Sequence, residues 1–183
     1  MKKTKYFISI MLIIFIGYFS YYITQYDIKD KKTDIQSNLM VWINRGSPGI
    51  IPEVIDVVQL GDTSSHIVLL QIQNGSFGYA HLIKGWNGKF KIDHSGHGTN
   101  IVHYQEIQTN NGMYGVLVGR NPDLKIDHIV ADLFYEDFSF ISNVNAEEKF
   151  VRYKKFSKEV KKTFPAELTY YNNNGTVIEV SDL

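Results

Sequence analysis

The residues best suited to chemistry in this sequence are its six histidines. The segment KIDHSGHGTN gathers Asp93, His94 and His97, and His103 follows on the next stretch. Imidazole nitrogens and carboxylate oxygens are ligands for zinc and related divalent ions. A His-x-x-His pair in a glycine-flanked loop, with a carboxylate as third ligand, could hold such an ion. A divalent metal is therefore the cofactor this pattern could recruit, through Asp93, His94, His97 and His103. The spacing matches no established ligand motif. The competing reading is a solvated loop in which Gly96 and Gly98 supply turns.

Other candidates are weaker. His66, His81 and His128 fall within expected strands. His81 shares a face with Phe77, Tyr79 and Ile83, and His128 with Ile126, Val130 and Phe134. Histidines so placed are half-buried and hydrogen-bonded as a rule. Asp132, Glu136 and Asp137 lack calcium-loop spacing and read as a solvated strand end. The segment KFVRYKKFSKEVKK carries seven basic residues and the single acid Glu159. There Arg152, Lys154, Lys155 and Lys158, interleaved with aromatics, could bind an anionic polymer. Alternatively the lysine stems simply cover Tyr153 and Phe156. There is no G-x-S-x-G, no H-E-x-x-H and no Walker loop, so no catalytic residue is assigned.

The whole composition narrows the classes further. The 183 residues are 44% hydrophobic and 21% charged, which is globular. Nineteen basic residues offset nineteen acidic ones, so no basic surplus marks a nucleic-acid partner. The absence of cysteine removes disulfides, thiol catalysis and cysteine-ligated metals.

From Pro52 onward the pattern has period two. Strands are expected at 54–60, 66–73, 77–86, 89–93, 100–109, 113–119, 125–135, 138–144, 168–171 and 176–180. GDTSS, QNGS and WNGK separate the first of them. Asn87-Gly88 predicts a two-residue hairpin turn with both residues at positive φ, and Asn-Asn-Asn-Gly at 172–175 a second hairpin. Gly112, Gly115 and Gly119 read as bends or bulges. Phe150 to Phe156 reads as a strand and SKEVKK as one helical turn. This series implies a mainly β fold, an antiparallel sandwich or open barrel. Ahead of it, Ile28, Ile35, Leu39 and Trp42 share one face of a helix expected over 27–44, with Leu39 and Trp42 docking on the β unit.

At the start, Lys2, Lys3 and Lys5 precede an uncharged run, YFISIMLIIFIGYFSYYI. As a helix it would span roughly 27 Å, close to the hydrocarbon thickness of a bilayer. Tyr18, Tyr21, Tyr22 and Tyr26 gather where amphipathic rings prefer the headgroup level. A cleaved signal peptide is the rival, but the exit lacks a small-residue cleavage site. The chain then divides into an anchor over 1–26, a helical stalk over 27–49 and a β-rich unit over 50–183. This architecture, a lysine-led span followed by a hairpin series, resembles the uncharacterised single-pass surface proteins of Gram-positive bacteria. The resemblance implies a cell-membrane protein with the bulk of its chain extracytoplasmic. Its expected role is binding, to another envelope protein or an anionic wall polymer. The alternative is a metal-dependent or hydrolytic envelope enzyme built on the histidine cluster.

Overall fold

The computed structural model describes residues 2–46, 48–73 and 75–183. Two helices come first, α1 over Lys2–Gln25 and α2 over Lys32–Ile43. After its leading lysines, helix α1 carries no charged residue; its window Tyr6–Gln25 has mean hydropathy 1.9 and no part of it is buried within the protein. It is long and apolar enough to cross a bilayer. Helix α2 begins later than its periodicity suggests. Ile28 is taken instead by an antiparallel bridge to Phe90, with N–H···O distances of 3.2 and 2.7 Å. From α2, Ile35, Leu39 and Ile43 are buried, while Trp42 packs half-exposed beside them.

Eleven strands follow: β1 (Pro52–Gln59), β2 (Ser65–Ile72), β3 (Phe77–Lys84), β4 (Phe90–Gly98), β5 (Val102–Thr109), β6 (Gly112–Arg120), β7 (His128–Leu133), β8 (Ser139–Asn143), β9 (Lys149–Lys155), β10 (Ala166–Tyr171) and β11 (Val177–Ile178). They form three antiparallel sheets, with orders β1-β2-β3-β4, β5-β6-β9 and β11-β10-β7-β8. None closes into a barrel among the described residues.

Alternation along the strands explains how these layers adhere. On β2, Val68 and Leu70 join Ile35, Leu39 and Phe90 in a core shared with α2. Their neighbours Ile67 and Leu69 point the other way, into a core with Ile107, Tyr114, Val116 and Val118 of the second sheet. On β6, Leu117 faces away from Val116 and Val118 and packs with Ile129, Ala131, Phe140 and Phe150, which ties in the third sheet. β2 and β6 are thus covered on both faces, and each shows six consecutive buried residues where a one-sided sheet would alternate.

Several local expectations are corrected. The histidine segment is strand, not loop: β4 continues to Gly98. Gly96 and Gly98 make room for rings, since an added Cβ would lie 3.0 Å from Tyr79 Cε1 and 3.0 Å from His103 Cε1. Gly115 and Gly119 do not bend β6, whose register with β5 runs unbroken from Val102 to Thr109. A Cβ on Gly115 would strike Phe156 at 2.5 Å, and one on Gly119 would meet the Ile101 carbonyl and Val102 Cα. At the β3–β4 hairpin only Gly88 has positive φ, at 76°, and its N–H bonds the Gly85 carbonyl at 3.0 Å. That is a turn followed by a left-handed glycine, not a two-residue turn. Asn172–Gly175 repeats the pattern, with Gly175 at φ 74°. SKEVKK forms no helix; a single bond from Val160 N–H to Ser157 O marks a turn.

Candidate functional site

The β3–β4 pairing builds the strongest polar constellation. His81 on β3 shares a face with Phe77 and Tyr79, which lie in the core between the first two sheets. His94 stands opposite His81, but Ile92 stands opposite Leu82, so the register slips there and Asp93 is the extra residue of a bulge. The slip lets consecutive residues act on one side. Asp93 Oδ2 lies 3.2 Å from His81 Nδ1 and 2.9 Å from His94 Nδ1. The two imidazoles meet edge to face, with centroids 5.2 Å apart. Tyr79 braces His94 from beside, at 5.7 Å.

Burial separates the chemical roles. His81 is 2% exposed, whereas the Asp93 and His94 side chains are about half open to solvent. Burial lowers the His81 pKa, and the Asp93 carboxylate only partly offsets this, so the ring is neutral at pH 7. For Asp93, burial raises the pKa, but hydrogen bonds from His94 and His81 outweigh it and the net shift is downward. His81 Nε2 is buried and finds no hydrogen-bond partner. One donor atom from each of His81, Asp93 and His94 lies within 4.8 Å of the others. Among the described residues no other trio of histidine and acidic side chains does so.

Of the four residues singled out from the sequence, the structure therefore brings Asp93 and His94 together, with His81. His97 is exposed and stands opposite Gly78, on the face of Ala80 and Leu82. His103 lies on β5 with its ring against Gly98. Burial lowers its pKa, and its Nε2 is also buried without a partner. Hairpin arithmetic could have suggested His81. Counting back from Lys84↔Phe90 without a slip puts His81 opposite Asp93.

The remaining candidates are engaged elsewhere. His66 stacks edge-on against Phe90 and bonds the Ser64 carbonyl at 3.2 Å. His128 bonds Asp127 at 2.8 Å and stacks on Tyr171. Glu136 accepts the backbone N–H groups of Lys161 and Lys162, at 2.9 and 2.8 Å. In the basic segment, Arg152 forks onto Glu147 at 2.8 and 3.2 Å and also bonds the Asn143 carbonyl. Lys155 reaches Asn111 Oδ1 at 3.0 Å. Strand alternation sends Arg152 and Lys154 to one face of β9 and Lys155 to the other, while Lys158 lies beyond the strand in an exposed turn. Arg152 and Lys154 thus share a face of β9 that Lys155 does not.

A second feature joins the β unit to α1. Trp86, at the tip of the β3–β4 hairpin, stacks on Tyr22 with centroids 4.8 Å apart and contacts Phe19 at 5.5 Å. Its backbone N–H donates to the Tyr22 hydroxyl at 2.8 Å, and Asn87 Nδ2 donates to the Tyr26 carbonyl at 3.0 Å. Gly85 permits the approach, because a Cβ there would lie 2.5 Å from the Tyr22 hydroxyl and 2.7 Å from the Tyr26 ring. Lys91 lies over Tyr26 at 5.4 Å.

Fold and site together define a mainly β protein of antiparallel sheets, led by a helix long and apolar enough for a membrane. No family model matches the chain, no curated protein matches it, and no solved structure matches its fold.

Proposed function

We propose that this is a single-pass membrane protein that holds a β-rich binding unit close against the outer face of the cell membrane. The observation that carries the reading is the contact of Trp86 with Phe19 and Tyr22. Indole and phenol rings favour the headgroup level. Here the helix end and a hairpin of the β unit supply such rings at one height. A signal peptide cut near the end of the apolar run would discard the Tyr22 hydroxyl and the aromatic contacts that seat this hairpin. Lys2, Lys3 and Lys5 precede the span and Lys29, Lys31 and Lys32 follow it, so the orientation rests on the tighter clustering of the leading charges, which favours a cytoplasmic N-terminus with the rest of the chain translocated.

The three packed sheets read as a layered sandwich, its mechanism surface complementarity without bond-making. The third sheet is separated from α2 by the other two, and strand alternation leaves one of its faces uncovered. That face carries Val130, Ile141, Tyr171 and Val177, with Ile141 66% and Val177 50% exposed. Such a mixed apolar and polar face suits a partner protein of the envelope. An anionic wall polymer is less favoured, because Arg152 is neutralised by Glu147 and Lys154 and Lys155 diverge. Confinement beside the membrane raises the effective concentration of the unit for partners there.

The test is fractionation of expressing cells with intact mass measurement. The uncut 21.1 kDa chain should stay with membranes through a carbonate wash. Recovery in the soluble fraction, or a product shortened at its N-terminus, would overturn the reading.

A further inference from the structure

We propose that His81, Asp93 and His94 form an open binding site for a divalent transition metal of the zinc class. The inference stands apart from the membrane reading, since all three residues lie in the first sheet. Zinc bonds imidazole nitrogen and carboxylate oxygen at about 2.0–2.2 Å, which in tetrahedral geometry sets ligand atoms about 3.4 Å apart. The observed Nδ1···Oδ2 separations are 3.2 and 2.9 Å, and all three donor atoms fall within 4.8 Å of one another. An ion would thus need the two nitrogen–oxygen pairs to open by a few tenths of an ångström and the nitrogen–nitrogen pair to close by at most about 1.4 Å.

Donor chemistry selects the ion. Two imidazoles and one carboxylate suit zinc, cobalt or nickel, whereas calcium and magnesium demand oxygen ligands. To bind an ion through Nδ1, the His81 ring must carry its proton on Nε2 and give up the hydrogen bond from Nδ1 to Asp93. His94 and Asp93 open to solvent, which gives an entry path and leaves a fourth position for water or a ligand. The bulge is the structural device: without the extra residue, Asp93 and His94 would alternate to opposite faces of β4.

The competing account is a metal-free hydrogen-bonded trio in which each Nδ1–H donates to Asp93. Calorimetry on the full chain in detergent separates the two, using tag-free protein stripped with chelator and titrated with Zn²⁺, then Co²⁺ as a spectroscopic probe. The proposal predicts saturable binding of one equivalent and visible absorption of tetrahedral Co²⁺. It also predicts about tenfold or greater weakening in His94→Ala and in Asp93→Asn, and no change in His97→Ala. His94 is half-exposed, so His94→Ala should keep the melting temperature of the stripped parent, which checks folding. No saturable binding, equal binding in a folded His94→Ala, or equal loss in His97→Ala would overturn the site.

Discussion

His81 illustrates how much one register decides at the scale of a residue. Its identity is plain in the sequence, and so is the face it shares with Phe77 and Tyr79. An unbroken hairpin register would already place Asp93 opposite it, but the addition of His94 to the same face depends on a bulge which no local turn residue announces. The same blindness affected Gly96 and Gly98. Both look like turn formers, yet they are small because Tyr79 and His103 occupy the space a Cβ would need. Burial also sets a pH response. His66, His81 and His103 have pKa values lowered from 6.5, with burial the largest cause of each shift. Below 6.5 the unfolded chain therefore binds more protons than the folded one. This stabilisation is complete above the unfolded value and is lost as pH falls through the folded values. Asp93 adds nothing in that window, because its lowered pKa acts only below 3.8. Thermal melts of the metal-free protein should accordingly show a falling Tm between about pH 7.5 and about pH 5. A flat profile would mean that the three rings are not buried as described.

Elements were legible where periodicity is local. Most period-two stretches become strands with modest shifts at their ends, although β4 runs five residues further than expected, to Gly98, and β11 keeps only Val177–Ile178; the face of α2 formed by Ile35 and Leu39 is buried as its spacing requires. The division into three sheets was not legible. β2 and β6 are apolar on both faces, and a continuous apolar run does not say which layer covers which side. Nor could the start of α2 be read, since Ile28 is claimed by Phe90, far along the chain. Gly119 shows what layering demands. It stands opposite Val102, and its missing Cβ leaves room for the Ile101 carbonyl and for Val102 Cα at 2.8 Å. That obstacle is backbone, which cannot swing aside as a side chain can. Gly119→Ala should therefore cost about 1–3 kcal/mol, read as a lower urea midpoint at unchanged slope. An unchanged midpoint would show that β5 and β6 are more loosely seated than the structure indicates.

Across the whole molecule, the contact between Tyr22 and Trp86 connects an apolar helix to a sheet hairpin. The sequence displays each half: a cluster of tyrosines closing the apolar run, and a turn bearing tryptophan. Their meeting, across a long sequence separation, follows from the Ile28 bridge, which lays the chain after α1 along β4. The hairpin tip is thereby placed beside the exit of the helix, and the outer face of the third sheet is left free. The chain contains no cysteine, so a single introduced thiol reports topology without background. Thr99 and Ser157 are exposed on the β unit. The most direct measurement is labelling of Thr99→Cys and Ser157→Cys in intact cells with a membrane-impermeant maleimide, against Thr4→Cys at the other end of the helix. Labelling of both β-unit thiols, with Thr4→Cys reacting only after the membrane is opened, is the predicted result. Protection of the β-unit thiols until lysis would contradict an outward-facing binding unit.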